Sequence, residues 1–219
     1  MEIEAKLAIP NRRVYRELLR LRSLAGYGLA PTGSIRIHDQ YFDTAGGRLL
    51  AGGYACRLRS TADGLTLTLK GLGGVEGAIH RRAEHQMRLP AWSPDPADWP
   101  EGEAKQTALR LAAGALLEPL VNLVQRRVNA DVMDGERRVG EFGLDAVRTE
   151  AGGRPASYHE LEIELSDESH YQPVHDSIAR ILHTLAIPLM TQTRSKFERA
   201  LARTQVAFNP PDRNGRLSS

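Results

Sequence analysis

Charged side chains recur at every second position along several separate stretches of this chain. Glu2, Glu4 and Lys6 alternate with Ile3, Ala5 and Leu7, and Glu160, Glu162 and Glu164 alternate with Leu161, Ile163 and Leu165. Arg57 and Arg59 oppose Cys56 and Leu58, while Thr66, Thr68 and Lys70 oppose Leu65, Leu67 and Leu69. Gln125, Arg127 and Asn129 stand against Val124, Val128 and Ala130, and Glu141 and Asp145 against Phe142 and Leu144. Arg82, Glu84 and Gln86 keep step less strictly, because Arg81 and His85 fall on the other parity. A period of two puts each set on one face of a β-strand. Carboxylates that converge repel one another unless a cation sits among them, and an all-oxygen donor set suits Mg²⁺ or Mn²⁺. Cationic side chains around a shared cavity call for a polyanion, and the guanidinium fork matches phosphate oxygens. The two sets together describe a site for a metal-bound chain of phosphates.

The elements that must position these groups follow from the same pattern. Strands are expected over 2–7, 34–42, 54–60, 65–70, 80–89, 121–133, 138–147 and 157–165, most of them joined by short glycine-containing turns. Amphipathic helices are expected over about 12–25, 103–117 and 172–186. Residues 194–202 read as a strand end or a short helix. Residues 91–102 are proline-rich and read as a loop. Such an order favours a curled or closed antiparallel sheet over a βαβ fold. An ordinary half-exposed sheet also alternates, but it mixes its polar residues loosely. Here carboxylates gather on the first and eighth strands and cations on the third, fourth and sixth. With the helices covering the apolar faces from outside, the charges point inward. Only parity selects Arg127 over Arg126 as the inward residue.

Composition is consistent with one folded unit. The chain has 219 residues, 41% hydrophobic and 26% charged, with 29 Lys and Arg against 27 Asp and Glu for a net charge of +2. That balance excludes a broad basic surface of the nucleic-acid-binding kind, though not a polyanion held inside. No apolar stretch approaches the ~18 residues needed to cross a bilayer. The charged start lacks the apolar core of a secretory signal, so a cytoplasmic protein is expected, with no membrane partner. The one cysteine, Cys56, excludes internal disulfides and cysteine-rich zinc sites, and its parity places it in the core. Gly71–Gly74 lacks the Gly-Lys-Ser/Thr of a P-loop, and no HExxH occurs.

Glu2-x-Glu4-x-Lys6 resembles the opening signature of the CYTH family, the triphosphate tunnel metalloenzymes. The resemblance continues in order through Tyr41-Phe-Asp-Thr44, Arg57-Leu-Arg59, Leu67-Thr-Leu-Lys70, Arg82-x-Glu84, Leu144-Asp145, Glu160-Leu-Glu-Ile-Glu164 and Arg194-Ser-Lys196-Phe, over about residues 1–202. It implies an α+β fold, an eight-stranded antiparallel barrel with helices packed outside and a hydrophilic tunnel. It implies one domain over 1–203, followed by a flexible tail or linker stub over 204–219. Lys6, Arg57, Arg59, Lys70, Arg82, Arg127 and Lys196 would be substrate ligands. Glu2, Glu4, Asp145, Glu162 and Glu164 would hold Mg²⁺ or Mn²⁺, with Glu160 a weaker candidate. Glu2, Glu4 and Lys6 would be the catalytic group. Gln125 stands where many relatives carry a basic residue, which weakens one phosphate contact.

The activity so implied is metal-dependent triphosphate hydrolysis, with inorganic tripolyphosphate as the leading substrate. A class IV-like adenylate cyclase and a thiamine or nucleoside triphosphatase are the enzyme alternatives. A polyphosphate-binding module preceding a helical CHAD domain is the non-enzyme alternative, and a homodimer is compatible with any of them.

Overall fold

In the computed structural model the described residues are 3–72, 75–76, 79–80, 84–151, 154–184, 192 and 194–204. Of the candidate site residues, Glu2 and Arg82 lie outside the described residues, as do the side chain of Glu4 and residues 205–219 of the expected tail.

Alternation sets the sheet. Strands β1 (Ile3–Ile9), β3 (Tyr27–Thr44), β4 (Tyr54–Thr61), β5 (Gly64–Gly71), β8 (Glu84–Leu89), β9 (Leu117–Asp134), β10 (Arg137–Ala151) and β11 (Arg154–Leu165) pair antiparallel in the order β1-β11-β10-β9-β3-β4-β5-β8. The short β2 (Ser23–Leu24) pairs with β3, and β6 (Val75–Glu76) with β7 (Ile79–His80). Among the described residues no ladder joins β8 to β1, so the sheet is curved and barrel-like rather than closed by hydrogen bonds. In the β6–β7 hairpin, β7 lies alongside β1.

Three apolar cores divide the faces. On the convex face, Leu144, Leu161, Ile163 and Leu165 pack with Val14 and Leu18 of α1 (Arg12–Leu18) and Val174 and Ile178 of α4 (Tyr171–Thr184). Farther round, Leu58, Leu67 and Leu69 meet Ala104, Ala108 and Ala112 of α3 (Glu103–Ala112). Cys56 is buried here, as its parity requires. The third core is on the concave face, where Tyr41, Val121, Leu123 and Val147 hold Phe197, Ala200 and Leu201 of α5 (Lys196–Leu201).

Several expectations change. The first helix ends at Leu18 rather than near residue 25, and positive φ at Ala25 and Gly26 then turns the chain into the β2–β3 hairpin, so that β3 starts seven residues early. Ala113 in the left-handed conformation stops α3, freeing Leu117 to open β9. Residues 48–51 form the short α2 (Arg48–Ala51), its start fixed by Asp43, whose carboxylate accepts from Leu49 N and Leu50 N. Helix α5, capped by the reciprocal Ser195–Glu198 box, is the exception to helices lying outside. It plugs the concave side with one face apolar and Lys196 turned toward the carboxylates.

Candidate active site

The ladders stack the concave face in levels. Lys6 is level with Glu162 on β11, then Gly143 on β10 and Asn129 on β9. The next level carries Glu160, Asp145 and Arg127 side by side, and the one before it carries Glu4, Glu164, Glu141 and Asp131. For Glu4 this is a backbone register. Period-two alternation within the strands and the register between them thus bring acidic and basic groups from four strands to one wall.

Their side chains are tightly knit. Arg127 clamps Asp145 with both prongs, Nε to Oδ1 at 2.9 Å and Nη2 to Oδ2 at 2.6 Å, and also donates to Glu162. Gly143 leaves room for this reach: a Cβ there would stand 3.4 Å from Arg127 Nε. Lys196 donates to Glu162 and lies 2.9 Å from Asp145 Oδ2 and 3.1 Å from Glu160 Oε1. Lys6 Nζ lies 3.4 Å from Glu162 Oε1. Arg199 donates to Glu160 Oε2 at 2.6 Å while its guanidinium sits 3.6 Å above the Tyr158 ring.

Burial and charge pull against each other here. Asp145 and Glu160 are fully buried, Glu162 is 6% exposed and Lys196 8%. Burial alone would raise the Glu162 carboxyl, but Lys196, Lys6 and Arg127 outweigh it and hold it well below the usual range. Burial opposes the charge on Lys196 as well, yet Glu162, Asp145 and Glu160 raise its pKa. Glu160 goes the other way: burial raises it despite Lys196.

The opposite half contributes the remaining cations. Arg59 clamps buried Asp39 with two bonds of 2.8 Å, and Asp39 also accepts from Gln125 Nε2 at 3.0 Å. Arg57 donates to Thr68 Oγ1 at 3.2 Å, and its buried Nε has no hydrogen-bond partner. Lys70 pairs with Glu84 at 3.0 Å near the rim, where its side chain is 42% exposed. The two halves face each other: Tyr41, whose pKa burial raises, feels the charges of Arg57, Asp39, Arg59 and Lys196.

Of the residues singled out from the sequence, Lys6, Arg127, Asp145, Glu162 and Lys196 are therefore in direct contact. Arg57 and Arg59 face them from the other half, Lys70 is peripheral, and Glu164 is one level away. Arg127 points inward and Arg126 outward, as parity requires. Asp39, Arg199 and Tyr158 were not anticipated. Asp39 shares its parity with Ile37 and Tyr41 in a stretch without clean alternation, and Arg199 arrives only through the packing of α5.

A divalent cation suits this chemistry in part. The buried donors are all oxygen, and Gln125 Oε1 and Asn129 Oδ1 have no hydrogen-bond partner. Among the described residues, however, no three metal-ligating side chains form an open cluster. Asp145, Glu160 and Glu162 converge instead on the ammonium of Lys196.

Comparison with known proteins follows the geometry. HpAC1 from Hippeastrum, described as an adenylyl cyclase with a dominant triphosphatase activity, superposes with a TM-score of 0.70 at 19% identity, over 96% of this chain and 100% of that one. A protein from Bacillus halodurans assigned as an adenylate cyclase gives 0.54 at 20% identity, over 91% and 96%. PH1819 from Pyrococcus horikoshii gives 0.51 at 17%, over 93% and 99%. No curated protein matches by sequence. Likeness at this identity speaks for the fold alone, and the family itself is shown by the CYTH domain model, which matches residues 1–201. This chain belongs to the CYTH domain family.

Proposed function

We propose that the concave face binds the triphosphate portion of its substrate and hydrolyses the terminal phosphoanhydride, converting inorganic tripolyphosphate to pyrophosphate and phosphate. One observation carries this reading: Lys6, Arg127 and Lys196 converge in a buried wall, with Arg57 and Arg59 opposite. Each already holds an oxygen anion or hydroxyl of the protein, so the wall is organised to bind oxyanions before any substrate arrives.

Binding then amounts to an exchange of anions. Phosphate oxygens take over the donors of Arg127, Lys196 and Lys6, and Asp145, Glu160 and Glu162 are released from them. The freed carboxylates, with Glu2, Glu4 and Glu164, would hold Mg²⁺ or Mn²⁺. When bound, that cation neutralises phosphate oxygens and makes water a better nucleophile. The residues of the chain position the leaving pyrophosphate and offset charge in a loose transition state. Buried Asp39 keeps Arg59 aimed throughout, and Asp145 holds Arg127 in place until substrate arrives. Glu2 and Glu4 belong to the side of the attacking water, so Glu4→Gln with near-normal turnover at saturating Mg²⁺ would overturn their role.

The same triphosphate grip serves a cyclase in which the ribose 3′-hydroxyl attacks the α-phosphorus of ATP. The names of HpAC1 and of the Bacillus halodurans protein keep this second reading open. A product assay with tripolyphosphate, ATP and thiamine triphosphate, each with Mg²⁺ and with Mn²⁺, separates them. Phosphate released from tripolyphosphate supports the hydrolase. Cyclic AMP from ATP overturns it, and binding without product points to a polyphosphate-binding module.

A further inference from the structure

We propose that the uncovered centre of the convex face is a second anion site, taking a small free anion with two or more phosphoryl groups. Between the core under α1 and α4 and the core under α3, the outer surfaces of β3, β9, β10 and β11 form a groove of about 700 Å³. Its volume is that of a small-molecule site. Arg36, Arg126 and Arg148 line it, with His159 and the hydroxyls of Ser34 and Ser157.

The contrast with the concave face carries the argument. There Arg59 and Arg127 are each clamped by a buried aspartate. Among the described residues, Arg36, Arg126 and Arg148 pair with no carboxylate, and Arg126 has only a 3.4 Å bond to Ser34 Oγ. Arg36 and Arg126 are moreover direct partners in the β3–β9 ladder, where like charges oppose each other at a cost. Arg148 is diagonal to Arg126, opposite Val124 on the β9–β10 ladder. No lining residue is acidic; the nearest acid of this face along β10 is exposed Glu150, two residues beyond Arg148. The Tyr15 ring of α1 lies against His159, with centroids 4.5 Å apart and a 40° tilt between the planes.

An anion that neutralises three unclamped guanidiniums resolves that repulsion. Arg36 to Arg148 spans two strand spacings, about 10 Å, which favours several phosphoryl groups over one. Helix-covered apolar surface on both sides stops the basic stripe, so the groove suits a short free anion better than a nucleic-acid strand. The assignment is independent of turnover on the concave face.

The test follows the imidazole proton resonances of His159 while inorganic tripolyphosphate is titrated into the whole chain in low-salt buffer with EDTA. The proposal expects a saturable shift, retained in Lys6→Ala, and weakened at least about tenfold in Arg126→Ala/Arg148→Ala. It expects partial recovery in Arg126→Lys/Arg148→Lys, and unchanged hydrolysis of tripolyphosphate at saturating substrate in the alanine pair. An unmoved His159, or equal affinity in the alanine pair, overturns it. A single-stranded oligonucleotide that displaces tripolyphosphate at lower concentration overturns the small-anion assignment.

Discussion

Arg127 and Asp145 stand directly opposite each other in the β9–β10 ladder and close a two-pronged pair inside the sheet, with Asp145 fully buried. Removing one member of a buried pair leaves the other charge uncompensated, which costs several kcal/mol. Asp145→Ala is expected to lower stability by about 3 kcal/mol, with Arg127 and Lys196 left leaning on Glu162 and Glu160. Urea denaturation checks this through a lower midpoint at unchanged m-value.

Lys196 places its ammonium between Asp145, Glu160 and Glu162. Lys196→Met removes that charge and leaves three buried carboxylates in mutual repulsion. The variant is expected to be less stable in EDTA and to regain more thermal stability from Mg²⁺ or Mn²⁺ than the parent does. Equal metal-induced shifts in melting temperature would count against this.

Glu162 contributes to the acid limb of stability. Its folded-state pKa is held well below the ordinary 4.5, so its contribution is present above 4.5 and lost as pH falls through the lower folded value. In metal-free protein, the stability difference between parent and Glu162→Gln should be constant from neutral pH to about 5 and shrink below about 4. Lys196 acts at the other end: raised above its ordinary 10.5, it stabilises fully below 10.5 and loses this only as pH climbs through the higher folded value. Melting curves across both limbs test the two signs.

Gly140 is needed for space. It follows the irregularity in β10 after Arg138, and a Cβ there would collide with the Glu164 carbonyl oxygen and stand 2.9 Å from Leu165 Cδ2. Because the obstacle includes backbone, Gly140→Ala is expected to cost about 1–3 kcal/mol, read by thermal or urea unfolding.

The Ser195–Glu198 box holds the six-residue α5 that delivers Lys196 and Arg199. Ser195→Ala should cost about 1 kcal/mol in stability. Under the proposal that Lys196 grips phosphate, the variant should also raise KM for tripolyphosphate more than it lowers kcat.

Strict alternation at Glu160–Leu165, Arg57–Arg59 and Leu65–Lys70 determined by itself that these three strands each have one apolar and one polar face, and that Cys56 is core. A strand admits no other parity once one face is buried. Local pattern also separated Arg127 from Arg126. What only the tertiary structure decided depends on distant parts of the chain. The early entry into β3 follows from positive φ at Ala25 and Gly26, whose partner strand β9 lies about a hundred residues away in sequence. The placement of α5 inside the sheet, with Arg199 on Glu160 and Lys196 among three carboxylates, depends on the concave apolar patch of Tyr41, Leu123 and Val147, which three different strands assemble. So does the fate of the charges. Sequence parity collected carboxylates for a cation and cations for an anion, and folding brought the two sets close enough to neutralise each other, because buried charges without partners cost more than any single pair returns.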